Sequence, residues 1–365
     1  MRVALVHDYL TQVGGAERVL DAMIQMYPTA PLFTLIYDEK ATKGRFAGRD
    51  IRTSFLQRMP FSRSKHRLYS PLMPIATEAL DLSGFDLIIS SSWSFTKGVI
   101  TTPYTTHVSF CHTPLRYVWD DSHRYVNEFR AYPKIFRSLG QPILTYLRIW
   151  DHAAAQRPEV LVANSTHVAK RIRKYYGREA RVVYPPVRTS FFNEVKRSAG
   201  EAYLMAGRLM AYKRFDLGIE AAHKAGVQLH IVGEGPEMRN LRRLAGGKDV
   251  TFLGAIDDDA FRKELGSARA FLFPQEEDFG IVAVEALAAG VPVIALRAGG
   301  AAEIVEDGIS GMFIEKPAVA DLATALQQFD PDAFDTAIVR QRARRFDEST
   351  FMDTFAAVIK ESLVQ

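Results

Sequence analysis

The chain has 365 residues, too many for one typical domain and suited to two, and its 47% apolar and 24% charged residues are ordinary for a soluble globular protein. Its one cysteine, Cys111, excludes internal disulfides and a Cys-rich metal site, and reads as a small buried hydrophobe. Charge is split unevenly: residues 1–190 carry 26 Lys+Arg against 15 Asp+Glu, a net of +11, while the remainder is net −7, for +4 overall. That asymmetry suits a negatively charged partner for the first half, whether membrane surface, lipid diphosphate or nucleic acid.

Val3–Tyr9 reads as a strand, followed by Gly14-Gly15-Ala16-Glu17-Arg18 as turn and helix start, with Val19, Met23 and Met26 at helical spacing. His7-Asp8 cuts the apolar run too short for a signal peptide, so a cytoplasmic location is the default expectation. Adjacent glycines leave backbone N–H groups open to a diphosphate at a helix start, although from Gly14 and Gly15 alone a plain tight turn is the favoured reading. The run lacks the Gly-x-Gly-x-x-Gly of dinucleotide enzymes. Further strands are expected at 32–35, 87–90, 106–110 and 160–163. Between them, Arg45, Arg49, Arg52, Arg58, Arg63, Lys65 and Arg67 are interleaved with Phe55, Leu56, Met59 and Phe61. Such interleaving suits either an anionic leaflet, making the protein peripheral on the plasma membrane, or a solvated face.

His112 ends the strand at 106–110 and precedes Pro114, a position where α/β proteins hold ligands. Asp8 and Asn164-Ser165 also end strands, where loop hydrogen bonding is the competing reading. Tyr184-Pro185-Pro186-Val187 cannot continue a helix or pair normally in a sheet and reads as a stiff hinge.

The second half alternates again, with strands expected at 202–206, 228–232, 250–253, 270–273, 292–296 and 311–314 and helices between. Gly207-Arg208 follows the first of them, and Lys213 lies five residues on. Arg supplies a planar fork and Lys a compact charge, together able to neutralise a leaving diphosphate without a divalent cation. Val232-Gly233-Glu234-Gly235 is another strand-to-glycine loop, and Ile256 follows the next strand. Asp257-Asp258-Asp259 looks like a metal-binding Asp-x-Asp, but Phe261, Leu265 and Ala268 follow at helical spacing. These acids are therefore read as helix-capping residues, and no metal and no cofactor is expected. The tract 280–296 is apolar but holds Glu285, Gly290 and Pro292, so it reads as helix, turn and strand, not as a membrane span. Glu277 lies in the loop before it and Glu285 two turns into the helix. Gly280 allows close backbone approach, and the helix start at Phe279-Gly280-Ile281 presents N–H groups to phosphate or sugar oxygens. The segment 351–363 is amphipathic through Phe351, Phe355, Val358 and Leu363.

The Glu277-x7-Glu285 spacing, with Gly14–Arg18, Gly207-Arg208…Lys213 and Arg297-Ala298-Gly299-Gly300, resembles retaining glycosyltransferases of family 4, from Val3 to about Phe346. The run His112-Thr-Pro-Leu-Arg-Tyr-Val-Trp-Asp120 resembles that family's bacterial polysaccharide transferases, often mannosyltransferases. Ala301-Ala302 departs from the bulkier residues usual there. The resemblance implies an α/β protein of GT-B fold, two Rossmann-like doubly wound domains facing across a cleft. Residues 1–186 would bind the acceptor, residues 187–346 the nucleotide sugar, and a helix at 347–365 would pack back on the first domain. By the same resemblance Glu277 holds sugar hydroxyls, Glu285 the ribose, and His112 the hexose near the reacting carbon. Gly14, Gly15, Gly207, Arg208, Lys213, Val232, Gly233, Ile256, Phe279, Gly280 and Ile281 surround the donor, while Arg116 and Trp119 face the acceptor. GDP-mannose is the expected donor, and a glycan or polyprenyl-diphosphate-linked glycan the expected acceptor, with UDP- and dTDP-sugars open. A hydrolysing sugar-nucleotide epimerase of the same architecture and a non-enzymatic nucleotide-sugar-binding module are the alternatives. A nucleic-acid binder is disfavoured, since nothing resembles a recognition helix or aromatic platform.

Overall fold

The computed structural model describes residues 1–120, 140–247 and 249–363. The chain forms two compact units, Met1–Tyr184 with Phe351–Gln365, and Pro185–Thr350, so the chain passes between them at the Tyr184-Pro185 junction.

The first unit is built on seven strands: β1 Val3–His7, β2 Leu32–Thr34, β3 Ile51–Thr53, β4 Leu87–Ser92, β5 Thr106–Cys111, β6 Val160–Ala163 and β7 Arg181–Val182. All neighbours pair in parallel, in the order β3-β2-β1-β4-β5-β6-β7. Helices cover both faces, so the central strands read as continuous apolar runs. In β1, Leu5 faces one core with Ile89, Phe110 and Val162, while Ala4 and Val6 face the other with Ile88 and Phe95. The strand order reverses between β1 and β4, where the register sets His7 beside Ser91. Parallel sheets open a crevice at such a reversal, beyond the carboxyl ends of the strands. The edge strands β3 and β7 are absent from the sequence reading. Their side chains are mostly exposed, so no alternating apolar pattern marks them.

The helix Glu348–Ser362 buries Phe351, Phe355, Val358 and Ile359 in the first unit's core. Leu363, expected on that apolar face, is 42% exposed, and Ile359 takes its place. Val364 and Gln365 lie outside the described residues.

The second unit repeats the scheme with β8 Tyr203–Ala206, β9 Leu229–Val232, β10 Val250–Gly254, β11 Phe271–Phe273, β12 Val293–Leu296 and β13 Gly311–Ile314. Its parallel order is β10-β9-β8-β11-β12-β13, reversing between β8 and β11. The crossover helix Phe215–Ala225 ends at Gly226, whose φ of +69° is left-handed and suits glycine. The fold is α/β, two doubly wound Rossmann-like units. Among the described residues no helix is long and apolar enough to cross a membrane.

Candidate active site

In the second unit the sheet reversal brings the end of β8 beside the end of β11. Gly207 leaves β8 with φ +142°, and a Cβ there would stand 3.2 Å from the Lys213 Nζ, so the lysine stem lies over bare backbone. Lys213 sits in a 3-10 turn, Ala211–Lys213, ahead of the helix that starts at Phe215. Its ammonium lies 2.5 Å from Glu277 Oε1, and both side chains are mostly buried, 13% and 16% exposed. Gln275, 4% exposed and not foreseen from sequence, donates to the same oxygen at 3.3 Å. A cation and a carboxylate separated by 64 residues of chain thus meet at the sheet reversal, where an anionic ligand and its hydroxyls can both be held.

Glycines let four loops close on this point. A Cβ on Gly233 would stand 2.0 Å from the Gly207 carbonyl oxygen, and one on Gly299 would stand 2.3 Å from that of Glu277. The Gly300 N–H donates to that Glu277 carbonyl at 2.9 Å, tying the loop after β12 to the loop after β11. Val232, the last residue of β9, is buried, while Ile256, half-buried, and Arg208, exposed, lie just beyond strands. Phe279 is buried edge-to-face against Phe346.

The sequence reading places Glu285 two turns into its helix. The helix begins only at Ile281, because Gly280 turns the chain with φ +112°, so Glu285 is about one turn in and is 1% exposed. The acids at 257–259 cap a helix: Asp257 accepts from Ala260 N–H at 2.8 Å. Among the described residues no group of three His, Cys, Asp or Glu could hold a metal ion.

In the first unit the ends of β1, β4 and β5 gather buried polar side chains. Asp8, fully buried, accepts the N–H groups of Trp93, Ser94, Phe95 and Thr96 at 2.7–2.9 Å and fixes the loop leaving β4. This is the loop-bonding role weighed from sequence. His112, 9% exposed, has its Nε2 2.8 Å from Ser91 Oγ, and Ser91 Oγ lies 3.1 Å from His7 Nδ1. His7 Nε2 in turn lies 3.7 Å from Glu17 Oε1. Burial pushes the His112 imidazolium pKa down to about 3, so its ring is neutral at physiological pH. His7, Glu17 and Ser91 escaped the sequence reading. Singly they carry no motif, and only the β1–β4 register joins them.

The Gly14 N–H, expected to be open to a diphosphate, donates to Glu17 Oε2 at 2.6 Å in a capping box formed by the buried Glu17 side chain. Gly15 is the first residue of that helix. Arg116 opens the short helix Arg116–Trp119 and is half-buried. The Trp119 indole N–H donates to Asp151 Oδ2 at 2.7 Å and its ring stacks on Tyr175 at 4.8 Å, leaving its polar edge committed inside the unit.

Residues 13–191 match the family model described as Glycosyltransferase Family 4 and residues 187–346 that described as Glycosyl transferases group 1. The first half of the chain thus matches a family 4 model and the second half a group 1 model, on a fold of two Rossmann-like units matching GT-B structures. It is 31% identical to D-inositol 3-phosphate glycosyltransferase of Geodermatophilus obscurus over 49% of this chain and 47% of that one. To the GDP-mannose-dependent alpha-mannosyltransferase of Corynebacterium glutamicum it is 33% identical over 30% of this chain and 26% of that one. The chain thus spans about half, or less, of the length of these curated relatives. The crystal structure of Anabaena HepE in complex with UDP and glucose matches with a TM-score of 0.70 over 99% of both chains, at 20% identity, a likeness of fold.

Proposed function

We propose that the protein is a retaining, metal-independent hexosyltransferase that moves mannose from GDP-mannose to a glycan or lipid-linked acceptor. The observation that carries this reading is the Lys213–Glu277 contact at the second unit's sheet reversal. Lys213 and Arg208 neutralise charge on the departing diphosphate, helped by the helix start behind Gly280. Glu277 holds sugar hydroxyls, exchanging its ion pair for them when the donor binds, and Glu285 takes the ribose. The glycine loops at Gly207, Gly233 and Gly299 make room for the nucleotide, lined by Val232, Ile256, Phe279 and Ile281. Gly15, Arg116 and Trp119 serve the first unit's ligand contacts, and His112 a hydroxyl of the hexose. The sugar passes through an oxocarbenium-like state, and the leaving phosphate takes the acceptor proton, which gives retention without a protein nucleophile.

The C. glutamicum relative supports GDP-mannose, whereas the HepE complex favours a second reading with UDP-glucose. Thermal melting with GDP, GDP-mannose, UDP, UDP-glucose and dTDP-glucose separates them, since a ligand at 100 times its Kd stabilises by about 2.7 kcal/mol. If none raises the melting temperature, the enzyme reading is wrong.

An anionic membrane is the acceptor's location in this proposal, a reading supported by one basic segment. Residues 51–77 contain five Lys or Arg and no carboxylate. Phe55, Phe61 and Leu68 stand 44%, 73% and 49% exposed. Phe61 also holds a left-handed φ of +56°, a strained conformation for an aromatic residue that gains no burial from it.

A further inference from the structure

The link from Glu17 through His7 and Ser91 to His112 has no part in the site as described so far. We propose that Glu17, His7 and Ser91 are positioning residues that fix the tautomer of His112, leaving its Nδ1 as a hydrogen-bond acceptor for a sugar hydroxyl. The proposal rests on the reading of His112 as a substrate contact.

The polarity follows from the Glu17 end of the link. A carboxylate only accepts hydrogen bonds. Glu17 Oε2 already takes the Gly14 N–H, while Glu17 Oε1 and His7 Nε2 are both buried, have no hydrogen-bond partner and face each other at 3.7 Å. A proton on His7 Nε2 directed at Oε1 gives an electrostatic attraction across 3.7 Å, whereas a bare nitrogen would set two lone pairs against each other. With a single ring proton, placed on Nε2, His7 accepts at Nδ1, and its neighbour there is the Ser91 hydroxyl at 3.1 Å. Ser91 has a single proton, and donating it to His7 leaves its oxygen only able to accept. The His112 Nε2, 2.8 Å from that oxygen, must therefore carry the ring proton. Burial keeps the His112 ring neutral, so Nδ1 holds a lone pair. Packing locks the ring: Phe110 lies 5.0 Å and Trp93 6.2 Å from it, both edge-on. The Gly14 loop and His112 are thus coupled through the sheet by one carboxylate.

Nitrogen-15 NMR of the full chain without substrate reads the tautomer directly. His112 is expected to show a protonated Nε2 and a bare Nδ1. In Glu17→Gln the amide oxygen keeps the Gly14 N–H, and the amide nitrogen becomes a donor to His7 Nε2. Every bond in the link then reverses, and the His112 proton moves to Nδ1. Turnover with GDP-mannose or UDP-glucose, whichever is transferred, is expected to fall roughly 100-fold in kcat, with KM and melting temperature retained. In a Ser91→Ala background, Glu17→Gln should add no further loss. A wild-type proton on Nδ1, or a Glu17→Gln variant with unchanged spectrum and kcat, overturns the proposal. The spectrum is read without turnover, so a correct tautomer in a protein that transfers no sugar refutes only the glycosyltransferase reading.

Discussion

At the scale of single residues, Lys213 holds Glu277 in the free protein and, in the proposed reaction, would also stabilise the leaving diphosphate. Only the second belongs to the transition state. Lys213→Ala is therefore expected to lower kcat by about 10²–10³-fold while the Kd of the nucleoside diphosphate changes far less. Stopped assays alongside calorimetric titration separate the two, and equal losses in both would remove the leaving-group role. Because two protein cations occupy that role, saturating EDTA should leave the rate unchanged. A rate restored only by Mg²⁺ or Mn²⁺ would contradict this. Proton linkage gives another expectation. Burial lowers the pKa values of His107 and His112 to about 3, below the ordinary histidine value in the unfolded chain. Between pH 3 and 6.5 the unfolded state binds more protons, so each group removes about 1.4 kcal/mol of stability per pH unit of acidification across that window and nothing above it. Melting curves from pH 4 to pH 8 should flatten near 6.5, and His107→Asn should shallow the acidic limb.

At the scale of elements, the donor loops depend on backbone packing that tolerates no side chain. Gly233→Ala places a methyl 2.0 Å from the Gly207 carbonyl oxygen on a backbone with φ +125°, so the loops after β8 and β9 must part. A loss of several kcal/mol is expected, as for overpacking added to backbone strain, together with loss of nucleotide binding. Gly308→Ala provides the contrast: it has a positive φ but no atom within 4 Å, so it should cost only the conformational term. The strands around these loops are legible in the sequence because buried parallel strands are unbroken apolar runs between glycines. The Gly14 turn is ambiguous in the sequence for a local reason. The same Gly-Gly-Ala-Glu string encodes an open phosphate loop and a capping box, and whether Glu17 folds back on Gly14 depends on burial by the sheet beneath it. The delayed start of the helix at Ile281 is likewise a backbone decision taken at Gly280.

At the scale of the whole molecule, the last helix is distant in sequence from the unit whose core it completes. Phe351 and Phe355 are at most 2% exposed in the first unit. Phe355→Ala is expected to cost about 3–5 kcal/mol and to lower the melting of that unit. Nucleotide protection of the second unit, read by calorimetry, should persist, and its loss would mean that the two units unfold as one. The proposed membrane attachment is also tested on the whole molecule. Vesicles with 30 mol% anionic lipid, on the order used for such tests, should sediment the protein at low salt and release it as ionic strength rises. Phe61→Ser should weaken that binding while leaving the melting temperature unchanged.

Sequence by itself determined the alternation of strands and helices, the two-unit division near Pro185-Pro186 and the cation and carboxylate types suited to a nucleotide sugar. Those features are local: periodicity, turn chemistry and motif spacing act within a few residues. Tertiary structure decided which side chains meet. Lys213 finds Glu277 because strand order reverses between β8 and β11, and Glu17 reaches His112 because β1 lies in register with β4. Hydrogen bonding across a parallel sheet joins residues dozens of positions apart, and no window along the chain contains that information.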